Sequence, residues 1–331
     1  MNIKNHLSKV IIIVITAFIA LSCSEFADSP YPPISFVGKT SIPGNGRASA
    51  VAFSINSKGY VALGRDSTKT QLKDCWEYDP SNNSWTEKTP FPGIARVKAM
   101  AAVVNGKAYV GLGFNDSLTV FNLVACLKDF WMFDPVLNSW TQKADFPSDF
   151  TDACVSFVYD NNIYIGSGFN GDTFGNDFWK YIPTENTWVR LNNFSGYKRA
   201  AAVSCTNGKH VYFGTGYRTI NENDWWEYFP DNDTWNWIGY MPDNGRENAV
   251  ALSIDNRFFI TTGRQFGGTL TGGHVISDIL EFDSVRKVWY NRGDIPGARE
   301  NAVAFIINGV GYIGFGENDT KVFNDFWSFV P

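Results

Sequence analysis

Short apolar segments alternate with turn residues along almost the whole chain. Residues 99–104 are small and apolar, an Asn-Gly pair follows as a strong hairpin signal, and residues 107–111 form the next segment. After a variable loop, residues 129–134 place aromatic side chains two positions apart, which is the period of a β-strand. A short turn then leads to a fourth segment that starts at Trp140. The pattern predicts a unit of four antiparallel strands.

This unit recurs six times at fixed offsets. An aspartate precedes each third segment, at Asp74, Asp129, Asp177, Asp224, Asp278 and Asp325. In five copies a tryptophan follows 11 residues later, at Trp85, Trp140, Trp188, Trp235 and Trp289. An aromatic residue four positions before a glycine marks every second segment, from Tyr60/Gly64 to Tyr312/Gly316. A repeat of about fifty residues with such spacing predicts an all-β fold, a six-bladed β-propeller.

The sixth copy is incomplete at the C-terminal end, because it stops at Pro331 after its third segment. Residues 36–43 have the spacing of residues 85–92, an aromatic followed seven positions later by proline. We therefore expect this N-terminal strand to complete the last blade and close the ring. Closure removes the exposed sheet edges that invite aggregation.

The unit resembles the kelch repeat. An arginine precedes the first strand, Asn-Gly-Lys forms the hairpin, and Tyr78–Pro80 and Phe133–Pro135 precede the tryptophan. The resemblance covers residues 34–331 and implies a kelch-type propeller. In that family, ligands usually bind on the face formed by the loops between second and third strands and between blades. One departure is systematic, since Gly-x-Gly, as in Gly111–Gly113, replaces two adjacent glycines.

The N-terminus reads as a targeting segment. Val10–Leu21 is an apolar stretch after a basic start, and a small residue then precedes Cys23. This resembles a bacterial lipoprotein signal, although a leucine sits one place nearer the cysteine than usual; a plain secretory signal with an incidental cysteine is the alternative. The resemblance implies residues 1–22 as signal peptide, residues 23–33 as a lipid-anchored tether, and the bacterial cell envelope as location. The lipid would be the only membrane contact.

The charge and the cysteines limit which partners, metals and disulfides are expected. The formal net charge is −5 with both signs interspersed, and the absence of a basic stripe argues against nucleic acid. The cysteines lack zinc-site spacing. Because an exported protein can form disulfides, we hypothesise that Cys75 and Cys126 pair. Cys154 and Cys205 lie in first strands and are expected to be buried free thiols.

A repeated arginine stands at the entry to most blades, and two readings of it remain open. The positions are Arg47, Arg96, Arg199, Arg246 and Arg299, while blade three has Thr151. Arginines around a channel mouth can grip carboxylates bidentately, or each can pair with a local aspartate. The ligand-binding candidates on the first reading are Arg47, Arg96, Arg246, Arg299, Glu247, Glu300 and Asp152.

Two long loops interrupt the regular repeat. Residues 114–128 belong to blade two and residues 264–277 to blade five, which are opposite in a six-bladed ring. Loops that face each other across a channel mouth can frame a binding cleft. Mobile surface loops without a ligand are the alternative.

Catalysis has little support in the sequence. His210 and His274, the histidines of the predicted mature chain, are expected on opposite faces. Galactose oxidase, a copper enzyme with kelch-like blades, needs clustered metal ligands, so we expect neither metal nor cofactor. We predict a binding module for a glycan, a small anionic ligand or a protein, without chemistry of its own. The alternative is a carbohydrate epimerase or mutarotase like the sialic-acid mutarotases, with Glu247 and Glu300 in proton transfer.

Overall fold

The computed structural model describes residues 26–120, 123–266 and 272–331. The predicted signal peptide and the lipidated Cys23 lie outside the described residues. Within these ranges the secondary structure is strand and turn without a helix, and nothing in them forms a helical membrane span. The strands build six four-stranded antiparallel sheets.

The sheets follow one another as blades one to six, each running from an inner first strand to an outer fourth strand. Blades one and two comprise Val51–Ile55, Lys58–Ala62, Cys75–Asp79 and Ser84–Lys88, then Met100–Val104, Lys107–Gly111, Phe130–Asp134 and Ser139–Lys143. Blades three and four comprise Val155–Tyr159, Asn162–Gly166, Phe178–Ile182 and Thr187–Arg190, then Val203–Thr206, Val211–Gly214, Asp224–Phe229 and Thr234–Tyr240. Blades five and six comprise Val250–Ile254, Arg257–Thr261, Asp278–Asp283 and Val288–Asp294, then Val303–Ile307, Val310–Gly314, Phe326–Phe329 and Phe36–Lys39.

Three short two-stranded ribbons lie on one face of the ring. Two form within loops between second and third strands, and the other pairs such a loop with the segment that enters blade one. They pair Arg47–Ala48 with Arg65–Asp66, Phe114–Val120 with Leu123–Cys126, and Arg264–Gln265 with His274–Val275. The last two are the long loops of blades two and five, on the face where the blades are also connected to one another. We call this face the mouth face.

First strands surround a central channel of about 220 Å³. Each first strand contacts the first strands of the preceding and following blades, and blade six contacts blade one, so the ring is closed in sequence order. The channel is lined by small side chains, including Ala50, Ala52, Ala99, Ala101, Ala202, Ala249, Ala251, Ala302 and Ala304. Small residues fit here because the six first strands crowd around the axis.

Aromatic side chains hold neighbouring blades together. The rings of Tyr60 and Phe133 join blades one and two with centroids 5.9 Å apart, and Tyr212 and Phe282 join blades four and five at 5.2 Å. Edge-to-face and tilted contacts of this kind add to the stabilisation from burial. The aromatic residues of the repeat therefore stabilise the packing between neighbouring sheets.

Ring closure by the N-terminal strand is confirmed. Phe36–Lys39 pairs antiparallel with Phe326–Phe329, the third strand of blade six. The chain then links blade six to blade one, because the Thr40 N–H donates to the Asn83 side-chain oxygen at 3.1 Å and its carbonyl oxygen accepts from the Trp85 indole at 2.8 Å. The same two contacts join blade one to blade two, through Thr89 with Asn138 and Trp140, and blade two to blade three, through Ala144 with Asn186 and Trp188.

The segment predicted as a tether packs against blade five along residues 26–34. The Ala27 N–H donates to the carbonyl oxygen of Trp289 at 2.9 Å, and the Ile34 N–H donates to that of Arg292 at 2.8 Å. Ala27 pairs in parallel with the outer strand. Because that strand runs toward the mouth face, the start of the described chain lies nearer the opposite face.

The hypothesis of a Cys75–Cys126 disulfide is wrong, since both are free thiols. Cys75 is buried in the cluster between blades one and two, whereas the Cys126 thiol points to the carbonyl oxygen of Phe169 in blade three at 3.7 Å. The two sulfur atoms therefore face opposite sides of blade two. Cys205, in a first strand, is free and buried as predicted, while Cys154 is free and half-buried.

Gly-x-Gly has a steric reason, seen at Gly113. Its φ is +80°, and a Cβ atom there would lie 2.4 Å from the carbonyl oxygen of Val97. The segment that enters the blade crosses directly over this glycine, so only glycine fits. The motif thus fixes the position of the blade-entry residues at the mouth.

Candidate functional site

The five blade-entry arginines lie inside the blades rather than at the channel mouth. None exposes more than 2% of its surface. In Arg96 the guanidinium donates to the carbonyl oxygen of Leu112 at 3.0 Å and to the carboxylate of Asp129 at 2.7 Å. The same ion pair recurs as Arg47–Asp74, Arg199–Asp224, Arg246–Asp278 and Arg299–Asp325.

This arrangement corrects the expectation that these arginines bind a ligand. The corrected candidates are Arg47, Arg96, Arg246 and Arg299. A guanidinium that is buried, paired with a carboxylate and bonded to backbone carbonyl oxygens has no free face for a guest. The structure shows the second alternative, in which each arginine pairs with an aspartate of its own blade. Glu247, Glu300 and Asp152 are the sequence-predicted residues that the structure brings to the mouth.

A closed circle of backbone hydrogen bonds defines the mouth. It joins the residue two positions after each blade entry, namely Ser49, Lys98, Ala153, Ala201, Asn248 and Asn301. Each N–H donates to the carbonyl oxygen of its counterpart in the preceding blade, at 3.0 to 3.3 Å, and Ser49 closes the circle on Asn301. The φ angles are all positive, between 50° and 55°. Because these N–H groups are occupied, side chains decide what the mouth recognises.

Carboxylates held by amides and arginines form one half of the mouth. Glu300 accepts from the Asn248 amide at 2.8 Å and from Arg264 Nε at 2.7 Å. Glu317 accepts from the Asn301 amide at 3.0 Å. Each carboxylate is therefore fixed in position but keeps lone pairs, and such groups accept hydrogen bonds from hydroxyls.

Glu247 differs from its neighbours, because no salt bridge to it is present in the described parts of the chain. Burial raises its pKa to about 7, with a contribution from nearby Glu300, while Lys98 and Arg264 act in the opposite direction. A carboxyl group with a pKa near neutrality can donate or accept a proton under physiological conditions.

The raised pKa of Glu247 predicts a pH-dependent stability. Above its ordinary pKa of 4.5 the unfolded chain has released this proton, whereas the folded chain retains it up to about 7. Stability should therefore fall as pH rises through this window, by about 1–3 kcal/mol. Urea unfolding of the wild type and Glu247→Gln should agree near about pH 5 and separate at about pH 8, with the variant more stable. A variant less stable than wild type at the higher pH contradicts this.

Asp152 sits across the mouth in blade three. Burial raises the pKa of its carboxyl group, and Lys98 partly opposes that shift. Its Oδ1 atom is buried without a hydrogen-bond partner among the described residues. Lys98 therefore acts on both Asp152 and Glu247, and it is the ring position that brings a cationic side chain to the mouth.

Aromatic side chains form the other half of the mouth. Ring centroids of Phe169 and Phe174 lie 4.9 Å apart, those of Phe174 and Tyr217 6.0 Å, and those of Tyr217 and Phe266 5.6 Å. We call these four residues the aromatic arc. Sequence reasoning missed it, although a signal existed. The residue that follows the glycine two positions after each second strand varies from blade to blade: Arg65, Phe114, Phe169, Tyr217, Arg264 and Glu317.

The long loops flank this mouth, and the histidines do not meet. His274 lies in the blade-five ribbon, while His210 lies on the opposite face with its Nδ1 atom 2.8 Å from Glu227. Across the described ranges, no group of three or more histidine, cysteine, aspartate or glutamate residues is arranged to hold a metal ion.

Comparisons with known proteins agree with this geometry. The family model described as Kelch motif matches residues 151–193, which span blade three. A search of the curated proteins found no match. The solved structure titled "Structure of YjhT" is similar with a TM-score of 0.76 and 18% sequence identity, covering 88% of this chain and 97% of that chain. At this identity the likeness concerns the fold.

The fold and the mouth define a six-bladed β-propeller closed by its N-terminal strand. More particularly, the chain is a kelch-type propeller, because the Kelch motif matches in blade three and the same strand pattern, with its paired aspartate and tryptophan, recurs around the ring.

Proposed function

We propose that this propeller is a binding module whose mouth takes a glycan. The observation that carries the proposal is the division of the mouth into the aromatic arc and a half rich in carboxylates and amides. A sugar ring has an apolar C–H face that packs against aromatic rings and a rim of hydroxyls that bind carboxylates and amides. Sites with apolar walls and a few fixed polar groups are typical of small-ligand binding.

Charge favours a neutral glycan over an anionic ligand. The blade-entry arginines are buried in ion pairs inside the blades and do not contribute free positive charge to the mouth. The mouth has four carboxylates and three cationic side chains, namely Asp152, Glu247, Glu300 and Glu317, and Lys98, Arg65 and Arg264. Arg65 and Arg264 are already paired with Glu317 and Glu300. An anion would therefore meet mainly like charge, which disfavours binding.

The test is binding by the full chain to neutral saccharides and to sialic acids, read by thermal shift and then by calorimetric titration. Tyr217→Ala in the aromatic arc should weaken saccharide binding by about tenfold or more. Phe229→Ala, which truncates a partly exposed aromatic at the far end of its strand, is the matched control and should bind normally. Equal affinity of wild type and Tyr217→Ala would rule out the mouth as the site.

A second candidate function, proton transfer on a sugar, is favoured by the pKa of Glu247. Anomer interconversion needs a group that takes and returns a proton, and a carboxyl group titrating near 7 suits that role. We expect Glu247→Gln to abolish any catalysed interconversion of N-acetylneuraminic acid, measured by NMR, while saccharide binding survives. If wild type does not accelerate interconversion over buffer, the enzyme alternative fails and the binding module stands.

We also propose that the protein is exported and anchored through Cys23. The path of residues 26–34 supports an orientation, since the chain begins nearer the face opposite the mouth. An anchor attached there would direct the mouth away from the membrane. Cys23→Ser should move the protein from the membrane fraction to the soluble fraction and abolish incorporation of labelled palmitate. Unchanged fractionation would contradict lipid anchoring.

A further inference from the structure

A second pocket lies on the outer rim of blade four, at the edge of the mouth face and outside the central mouth. Its volume is about 400 Å³, within the range of small-ligand sites. It is lined by Ser195, Gly196, Tyr197, Glu222, Asp224, Trp226, Trp237 and Tyr240. Tyr197, Trp237 and Tyr240 expose 62%, 49% and 55% of their surfaces. Three large aromatics exposed around one concavity need an explanation beyond packing.

These aromatics break the repeat. The buried residue that follows each outer strand gives the alignment, because its N–H makes the same backbone hydrogen bond in blades one to five, at Phe91, Phe146, Phe194, Met241 and Ile295. Four positions earlier, Trp237 stands where the other four blades have Glu87, Gln142, Arg190 and Asn291. One position earlier, Tyr240 stands where they have Pro90, Asp145, Asn193 and Asp294. The fold therefore does not require an aromatic at either position.

Glu222 also breaks the repeat. The residue two positions before the repeated aspartate donates its N–H to the carbonyl oxygen of the glycine that lies two positions after the second strand. The other five blades have Leu72, Leu127, Gly175, Ile276 and Phe323 at the position of Glu222. Glu222 is 8% exposed and pairs with Arg218, whose guanidinium lies 4.1 Å from the Tyr197 ring centroid. A buried carboxylate replaces an apolar residue or glycine in blade four and is held in one orientation.

A β-bulge brings the two outer-strand aromatics to the same side. Side chains three positions apart normally point to opposite faces of a sheet. In blade four the register shifts between Trp225, opposite Gly239, and Trp226, opposite Trp237. The extra residue restores a common face, and the rings of Trp237 and Tyr240 meet edge to face at 5.4 Å. Bulges that redirect side chains in this way are often found at functional sites.

We propose that this rim pocket binds a pyranose ring of a neutral saccharide, independently of the mouth. Trp237 and Tyr240 supply apolar surfaces for the C–H face of the sugar, and Glu222 supplies a fixed acceptor for its hydroxyls. A cationic guest such as a quaternary ammonium is disfavoured, because Arg218 and Arg199 already neutralise Glu222 and Asp224. The pocket and the mouth together would let one propeller hold two units of one glycan chain.

The test replaces the two outer-strand aromatics with the residues found at the same positions of blade one. The double variant Trp237→Glu with Tyr240→Pro installs the blade-one residues at the equivalent positions, so the fold should be kept, as circular dichroism and melting will report. The full chain is titrated with maltopentaose, cellopentaose, chitotriose and N-acetyllactosamine by calorimetry, with choline as the competing cationic probe. Tyr217→Ala, in the mouth, serves as the matched control, and Glu222→Gln tests the acceptor.

We expect at least one saccharide to bind with two sites, one of which is weakened about tenfold or more by the double variant and by Glu222→Gln but not by Tyr217→Ala. If the double variant weakens one site while Tyr217→Ala weakens none, the mouth proposal fails and the rim pocket stands. The rim proposal is overturned if no saccharide binds, if the double variant leaves all saccharide binding unchanged, or if only choline binding depends on Trp237 and Tyr240.

Discussion

Replacing Arg246 with alanine should lower the free energy of unfolding by about 3–5 kcal/mol. Arg246 is fully buried, and its guanidinium donates to Asp243 at 2.6 Å and to both oxygens of Asp278 at 2.8 Å. It also donates to the carbonyl oxygen of Thr262 at 3.2 Å. Alanine would leave two carboxylates facing each other without a counter-ion, and the cost of an uncompensated charge exceeds that of a lost contact. Urea unfolding monitored by tryptophan fluorescence measures the change.

A surface arginine provides the matched control. Arg286 is 69% exposed and pairs with Asp283 at 3.5 Å, so Arg286→Ala should change stability by less than about 1 kcal/mol. Arg246→Lys should fall between the two, because it keeps the charge but loses the bidentate geometry. An Arg246→Ala protein as stable as wild type would mean that the buried pairs are not struts, and the arginines would return as ligand-binding candidates.

Blade three shows that the fold tolerates the absence of this strut when the surroundings change with it. Thr151 occupies the arginine position, is fully buried, and donates to the carbonyl oxygen of Gly113 at 3.2 Å. Asp177, the counterpart of the paired aspartates, accepts from the Trp179 indole at 2.9 Å. A shorter side chain thus ties blade three to blade two, where an arginine would have tied the blade to itself.

The propeller was predictable from the sequence because its determinants are local and repeated. The offset from aspartate to tryptophan, the glycine pairs and the phase of Phe36 each follow from strand length and turn geometry, which are the same in every blade. The arginine was misassigned because a blade-entry residue borders the mouth in sequence, while its direction depends on an aspartate 25 to 33 residues later. The recurrence of both residues in five blades was the signal for a structural role.

The sites themselves depend on residues that depart from the repeat. The pKa of Glu247 reflects burial produced by the assembled ring, which no local pattern encodes. Trp237, Tyr240 and Glu222 are visible as departures once the blades are aligned, but the bulge that places Trp237 and Tyr240 on one face is a property of strand pairing. A repeat protein gains an asymmetric site when one blade carries different residues at positions where the other blades share a pattern.

Removing residues 24–43 should lower the melting temperature by about 10 °C or more, because the deletion opens the ring. It unpairs the Phe326–Phe329 edge and exposes two apolar clusters. Ile34 belongs to the cluster between blades five and six, and Ile42 to the cluster between blades six and one. The segment therefore holds three blades together, and its loss frees a sheet edge that promotes aggregation. Differential scanning calorimetry with light scattering measures both effects.

Two further variants distinguish the effect of opening the ring from the effect of losing the other contacts of residues 24–43. Deleting only residues 24–33 removes the segment on blade five but keeps Phe36–Lys39, so most of the stability should remain. In the second chain, residues 34–43 are removed from the N-terminus and attached after Pro331. The connecting turn is as long as the turns between third and fourth strands of the other blades. The fourth strand of blade six is then supplied by the C-terminus. Because the ring does not depend on which terminus supplies that strand, this rearranged protein should melt close to wild type. If it melts as low as the 24–43 deletion, continuity of the N-terminal segment, rather than pairing of the closing strand, is what stabilises the propeller.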